Sequence, residues 1–137
     1  MIVLLDTNVV SAVMQRDAIA LGRLRRERPG EVFLCSPVAA EIHFGLDRLP
    51  VGRRRQLLEA EYRALRAIVR WADWTEAAAK EFGRQKALLE AQGQIIEDMD
   101  IAIGAVARSL GARCATRNTR HLAPMDALVV EDWSKAS

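Results

Sequence analysis

Histidine and cysteine are almost missing from this sequence. The 137 residues hold two histidines, His43 and His121, and two cysteines, Cys35 and Cys114. Each cysteine lies inside an apolar run, at neither metal-ligand nor redox spacing, which disfavours a zinc module and predicts two reduced, buried thiols of a reducing compartment. Long apolar runs are also lacking. The first, residues 2–5, ends at Asp6 after four residues and has no basic segment before it, too short for a signal peptide or a membrane span. The expectation is a soluble, cytoplasmic protein with no membrane partner. Repeats, linkers and low-complexity stretches are absent too, which leaves a single domain over 1–137. Half of the residues are apolar, and a chain of this length buries roughly two thirds of its unfolded surface, so a core is available without disulfides.

Lysine is scarce where arginine is abundant: 3 Lys stand against 17 Arg. Planar, bidentate guanidinium groups suit phosphate better than ammonium groups do. The charge is also uneven. Residues 16–70 carry a net +5 and residues 71–137 a net −2 within an overall +2, which makes the first half the candidate polyanion face. Base composition and solvated helix faces produce the same enrichment, so charge alone does not identify nucleic acid as the partner.

Strand and helix signals alternate along the chain. Residues 2–5 read as a buried strand that stops at an acid, with Thr7 and Asn8 as good caps for the helix after it. Helices follow over 8–14 and 17–27, and Pro29-Gly30 breaks the chain before a second aliphatic strand over 32–35. Ser36-Pro37 then reads as an N-cap and a first-turn proline, opening a helix that runs to about Leu49. Residues 53–68 form an amphipathic helix with Leu57, Leu58, Tyr62, Leu65 and Ile68 on its inner side. A short edge strand at 68–71 comes before a helix capped by Asp73 or Thr75 and ended by Gly93. Residues 98–110 are apolar almost all round and read as a central helix ended by Gly111. Strands at 112–116 and 128–130, separated by a polar loop, complete the set. The pattern predicts an α/β layer fold with a mostly parallel sheet of four or five strands, in which ligands bind beyond the strands' carboxyl ends.

Three acids occupy positions where acids are expensive. Asp6 ends the most apolar segment of the chain, where an ionised carboxylate needs compensation, although an N-cap would also place an aspartate there. Glu41 interrupts the inward stripe Val38, Glu41, Ile42, Gly45, Leu46, Leu49, although a salt bridge to a neighbouring helix would account for it as well. Asp100 shares a side of the central helix with Ile103, Gly104 and Ala107. Asp98 lies on another face, where with Glu97 it complements the helix dipole, and it is only an accessory candidate. Each of the three acids follows a strand or opens a helix at one end of the sheet, so all three converge there. Clustered carboxylates stay ionised only beside a compensating cation, and oxygen donors without matching histidines or thiolates select Mg²⁺ or Mn²⁺ over zinc. Water attack on a phosphodiester is the natural reaction of such a site. Thr116, Arg117, Asn118 and Arg120, at the end of a later strand, add phosphate-binding groups. On its own this segment is an ordinary polar loop.

Four stretches carry a resemblance. They are Leu4-Leu5-Asp6-Thr7-Asn8-Val9-Val10-Ser11, Ser36-Pro37-Val38-Ala39-Ala40-Glu41-Ile42-His43-Phe44-Gly45-Leu46, Met99-Asp100-Ile101-Ala102-Ile103 and Ala115-Thr116-Arg117-Asn118-Thr119-Arg120. In order and spacing the chain resembles the PIN-domain ribonucleases, and among them the VapC-type toxins of toxin–antitoxin pairs. The resemblance implies a three-layer α/β/α sandwich and a Mg²⁺- or Mn²⁺-dependent endoribonuclease. It also implies inhibition by a cognate VapB-type antitoxin, and a homodimer. Carried over by position, Asp6, Glu41 and Asp100 are the catalytic, metal-binding acids. The late loop commonly holds a fourth acid in that family, where this chain has His121, with Asn118 the other nearby ligand position. Neither supplies a fourth negative charge, which leaves a one-metal and a two-metal mechanism both open. Asn8 and Thr116 are further accessory candidates, and Arg25, Arg26, Arg53, Arg54, Arg117 and Arg120 are candidates for the RNA backbone. The alternatives are a degenerate PIN module that binds RNA or an antitoxin, and a small Mg²⁺-dependent phosphatase, which would want a second aspartate where Asn8 stands.

Overall fold

The computed structural model describes all residues, 1–137. In chain order the elements are β1 (Val3–Leu5), α1 (Thr7–Met14), α2 (Ala18–Arg26), β2 (Val32–Cys35), α3 (Ser36–Asp47) and α4 (Arg53–Ile68). They continue with β3 (Arg70–Ala72), α5 (Glu76–Ala91), α6 (Asp98–Leu110), β4 (Arg113–Thr116), α7 (Thr119–Leu122) and β5 (Val130–Asp132). The five strands form one sheet in the order β3-β2-β1-β4-β5. Every neighbouring pair is parallel, so the sheet is wholly rather than mostly parallel.

That order places the site. From β1 the chain moves outward through β2 to β3, then crosses back to lay β4 on the other side of β1. The direction of winding therefore reverses between β1 and β4, and the loops beyond their carboxyl ends part to leave a crevice. Consecutive strand residues point to opposite faces, and Val3, Leu4 and Leu5 are all fully buried. Both faces of the sheet are thus covered, as the aliphatic run at the N-terminus requires. On the helical layers α1 packs against α2, α3 and α4, while α5 lies along α6.

Several local details differ from the expectations. Asp6 is the N-cap of α1, one residue ahead of Thr7 and two ahead of Asn8, because its carboxylate accepts the Thr7 N–H. Cys35 holds the N-cap position of α3 without a side-chain bond, with Ser36 and Pro37 inside the first turn. At Leu57 and Ile68 the inner stripe of α4 fails, since both are exposed while Tyr62 and Leu65 are buried. Residues 119–122 of the polar loop close into the single turn α7. The last strand is displaced to Val130–Asp132, where Cys114 pairs with Val130 and Thr116 with Asp132. Its anchor is Trp133, fully buried one residue beyond the strand. Cys35 and Cys114 are free and buried, with burial pushing the Cys35 thiol up to about 12 and the Cys114 thiol well above its ordinary value.

Candidate active site

Strand β1 delivers Asp6 to the crevice. Its backbone N–H still belongs to the sheet, donating to Ala115 O at 2.8 Å, and its side chain is only 6% exposed. One carboxylate oxygen accepts the Thr7 N–H at 2.8 Å and the other accepts the Thr116 hydroxyl at 2.7 Å. Capping residue and site carboxylate are therefore the same residue. Burial raises the Asp6 pKa, offset in part by the Thr116 and Thr7 hydrogen bonds and the nearby His121.

The Thr116 hydroxyl has one proton, given to Asp6, and its lone pairs receive Asn8 Nδ2 at 3.2 Å and the Asn118 N–H at 3.1 Å. Asn8 Oδ1 in turn accepts the Arg117 N–H at 2.9 Å. Asn8 and Thr116 thus lock the carboxyl ends of β1 and β4 together and orient Asp6. Thr7 donates its hydroxyl to Glu41 Oε1 across to α3. Thr7, expected only as a helix cap, thus also fixes Glu41. The available signal was a hydroxyl beside Asp6, one residue into the helix.

Asp100 stands in the first turn of α6, with its side chain 24% exposed. Burial raises its pKa, reinforced by the negative charges of Asp6 and Glu41 and opposed by His121. His121 Nδ1 lies 3.9 Å from Asp100 Oδ2, and its Nε2 meets the Asn118 amide nitrogen at 3.1 Å. The residue in place of a fourth acid therefore faces the third one. Asp98 lies outside the cleft, exposed and ion-paired with Lys86 at 3.0 Å.

Asp6, Glu41, Asp100, His121 and Arg120 line one open cleft of about 750 Å³, closed on its far side by Gln94, Ile95, Ile96, Glu97 and Pro124. Glu97, expected only to complement the helix dipole, thus brings a further carboxylate to the cleft, while Gln94, Ile95 and Ile96 carry no sequence signal of a site. The acids line the cleft rather than closing on one point, and no three His, Cys, Asp or Glu side chains stand at the spacing of a closed metal site. The donor chemistry is nonetheless distinctive. Three partly buried acids elsewhere are paired with arginine, Glu27 and Glu131 with Arg113 and Glu81 with Arg84 and Arg108. Asp6, Glu41 and Asp100 have no lysine or arginine partner.

The arginine candidates separate by place. Arg120 lines the acid cleft and Arg117 a polar pocket beside it. Arg53 and Arg54, exposed at the start of α4, line neither. Arg25 and Arg26 lie at the other end of the sheet, where neighbouring Glu27 joins Arg113 and Arg113 reaches Met1 O. Arg26 is engaged with Ala136 O at 2.6 Å. His43 is exposed with its ring edge-on to Tyr62.

Unpaired carboxylates at the switch point of an all-parallel sheet mark an α/β protein whose ligand sits at the strand ends. The chain belongs to the PIN-domain family, whose model, described as PIN domain, matches residues 3–127. Among curated relatives it is 29% identical over 130 residues to Ribonuclease VapC2 of Haemophilus influenzae, covering 95% of this chain and 96% of that one. It is 27% identical over 139 residues to VapC ribonuclease Y4jK of Sinorhizobium fredii, covering 98% and 99%. Among solved structures it matches VapBC-1 of nontypeable Haemophilus influenzae with TM-score 0.83 at 26% identity, over 98% of this chain and 100% of that one. VapBC2 of Rickettsia felis bound to a promoter DNA fragment shares the fold, with TM-score 0.85 at 20% identity over 97% and 99%.

Proposed function

We propose that this chain is a divalent-cation-dependent endoribonuclease of the VapC type, the toxin of a toxin–antitoxin pair. The observation that carries this reading is the cleft in which Asp6, Glu41 and Asp100 have no lysine or arginine partner, whereas the partly buried Glu27, Glu81 and Glu131 are each paired with arginine. Such a set is costly in the absence of a cation. Its hard oxygen donors fit Mg²⁺ or Mn²⁺. When bound, a cation of this kind supplies the positive charge that neutralises the scissile phosphate and acidifies water for attack.

The chain's own residues do the rest. Asp6 and Asp100 hold the charge of the site, and the Thr116 hydroxyl and the Thr7 N–H, both donating to Asp6, keep it in one orientation. Glu41, fixed by the Thr7 hydroxyl, presents a carboxylate able to take a proton from water. Arg120 lines the cleft wall and would hold a phosphate oxygen, and Asn118 meets His121, whose other ring nitrogen lies near Asp100. The phosphatase alternative wants a second aspartate where Asn8 stands, and the Asn8 amide is committed to Thr116 and Arg117.

The partner proposed is a cognate VapB-type antitoxin, in line with the VapBC complexes among the similar structures. An apolar groove of about 570 Å³ between α2 and the end of α4, lined by Leu21, Leu24, Pro29, Val32 and Ile68, is the surface proposed for it. No helix is long and apolar enough to cross a membrane.

Incubation of total bacterial RNA with the purified chain, wild type beside Asp100→Ala, in Mg²⁺, Mn²⁺ or EDTA tests the reading. Defined cuts are expected only for wild type with metal. Cuts by a folded Asp100→Ala at the wild-type rate would refute it, and silence from both proteins would favour a binding module without catalysis.

A further inference from the structure

Beside the acid cleft lies a second cavity, of about 440 Å³, lined by Asn8, Ser11, Ala12, Gln15, Asp17 and Arg117. Asn8 and Ser11 line both spaces, so the two are continuous along α1. Asn8, Ser11 and Gln15 fall at i, i+3 and i+7, one face of the helix, while Val9, Val10, Val13 and Met14 turn into the core. From Asn8 to Gln15 this polar stripe runs about 10 Å along the helix axis. It is a track leading away from the three carboxylates.

Asn8 is committed to Thr116 and Arg117, but three other groups along the track keep bonding capacity to spare. Arg117 is anchored by its backbone N–H on Asn8 Oδ1, yet its guanidinium has no salt bridge or hydrogen bond, unlike Arg113, Arg84 or Arg55. Gln15 touches only Ser11 Oγ, at 3.3 Å, which leaves its amide oxygen and one amide proton open. At the far end Asp17 caps α2 through one oxygen, on the Ala20 N–H at 2.9 Å, and its other oxygen accepts nothing. The pocket therefore offers a cation near the acid cleft and amide and carboxylate acceptors away from it.

Resting on the ribonuclease reading, we propose that this pocket is a subsite for the nucleotide next to the scissile phosphate. Arg117 takes that nucleotide's phosphate. Gln15 and Asp17 read the exocyclic amino group of its base, so bases that carry one, adenine and cytosine among them, are accepted in preference to uracil, which has none. The chemistry follows the donor pattern: Gln pairs with an adenine edge and Asp accepts from the cytosine amino group, whereas uracil presents carbonyl oxygens to the same acceptors. Single-stranded RNA exposes these edges.

The test uses the full-length Asp100→Ala protein, in which binding is read without cleavage, and fluorescently labelled oligo(A), oligo(C) and oligo(U) single strands followed by anisotropy. Oligo(A) and oligo(C) are expected to bind roughly fivefold to tenfold more tightly than oligo(U). Adding Gln15→Ala is expected to abolish that preference. Adding Arg117→Ala is expected to weaken all three alike, by roughly threefold to tenfold, and to lower the salt slope by about 0.7. A second arm maps the ends of cuts made by Gln15→Ala in the active protein, where depletion of uridine at one flanking position is expected to disappear. Equal binding of the three RNAs, or a preference that survives Gln15→Ala, would overturn the subsite. Discrimination in binding without cleavage by wild type would leave the subsite standing and sink the ribonuclease reading.

Discussion

Thr116 shows how much one buried hydroxyl organises. It donates to Asp6 and receives Asn8 and the Asn118 N–H, so Thr116→Val keeps the shape and strands three partners. The expected cost is about 1–3 kcal/mol of stability, with a fall in cleavage that Thr116→Ser restores. Urea unfolding and cleavage rates of the two variants check this, and equal stability of Val and wild type would dismiss the lock. Asp100 makes the opposite case. Its carboxylate is held near Asp6 and Glu41 without a basic partner other than His121, so Asp100→Asn relieves repulsion and is expected to raise Tm at neutral pH in metal-free buffer. Mg²⁺ should raise the Tm of wild type more than that of the variant, because stabilisation by the ion grows with its affinity for the folded state.

At the scale of elements, α5, α6 and the loop after α7 are tied by one ionic knot. Glu81 accepts from Arg84, Gln85 and Arg108, Arg84 reaches Asp126, and fully buried Gln85 clasps the Asp126 backbone at 2.8 Å on both sides. The arginines and Gln85 hold the Glu81 carboxyl down to about 2. A depressed folded pKa means stability present above the unfolded value of 4.5 and lost as pH falls toward 2. Glu81→Gln should therefore cost about 1–2 kcal/mol at pH 7, discounted for the partly exposed arginines. The gap to wild type should shrink in unfolding experiments below pH 4.5. On the same helix pair, a Cβ at Gly104 would overlap the Met125 thioether. Gly104→Val is thus expected to destabilise by about 1–3 kcal/mol, less so in a Met125→Ala background.

These elements also show what the sequence could disclose. Helix α4, Arg53–Ile68, was legible to the residue because its charge and spacing are local properties, and β1 because an aliphatic run ending in an acid has few other readings. That Asp6, Glu41 and Asp100 line one cleft was legible because Asp6 ends a strand, Asp100 opens a helix and Glu41 lies in the early turns of a helix that follows a strand. β5 was not, since Leu128 and Val129 look more strand-like than Val130–Asp132. Pairing with β4 and burial of Trp133, rather than propensity, chose the register. The exposure of Leu57 and Ile68, the Thr7 bond to Glu41 and the joining of Asn8 to Thr116 were equally hidden. Each depends on contacts between segments far apart in the chain.

Taken whole, the molecule is a both-faces-covered parallel sheet whose winding reverses at β1 and β4, with its uncompensated carboxylates gathered there. The most direct test is calorimetric titration of Mn²⁺ into the wild-type chain and into a folded Asp100→Asn variant. The account predicts that wild type binds the ion and that the variant binds at least about tenfold more weakly, a difference of 1.4 kcal/mol. Equal binding by the two proteins would contradict it, as would a wild type that binds no ion and still cuts RNA in EDTA.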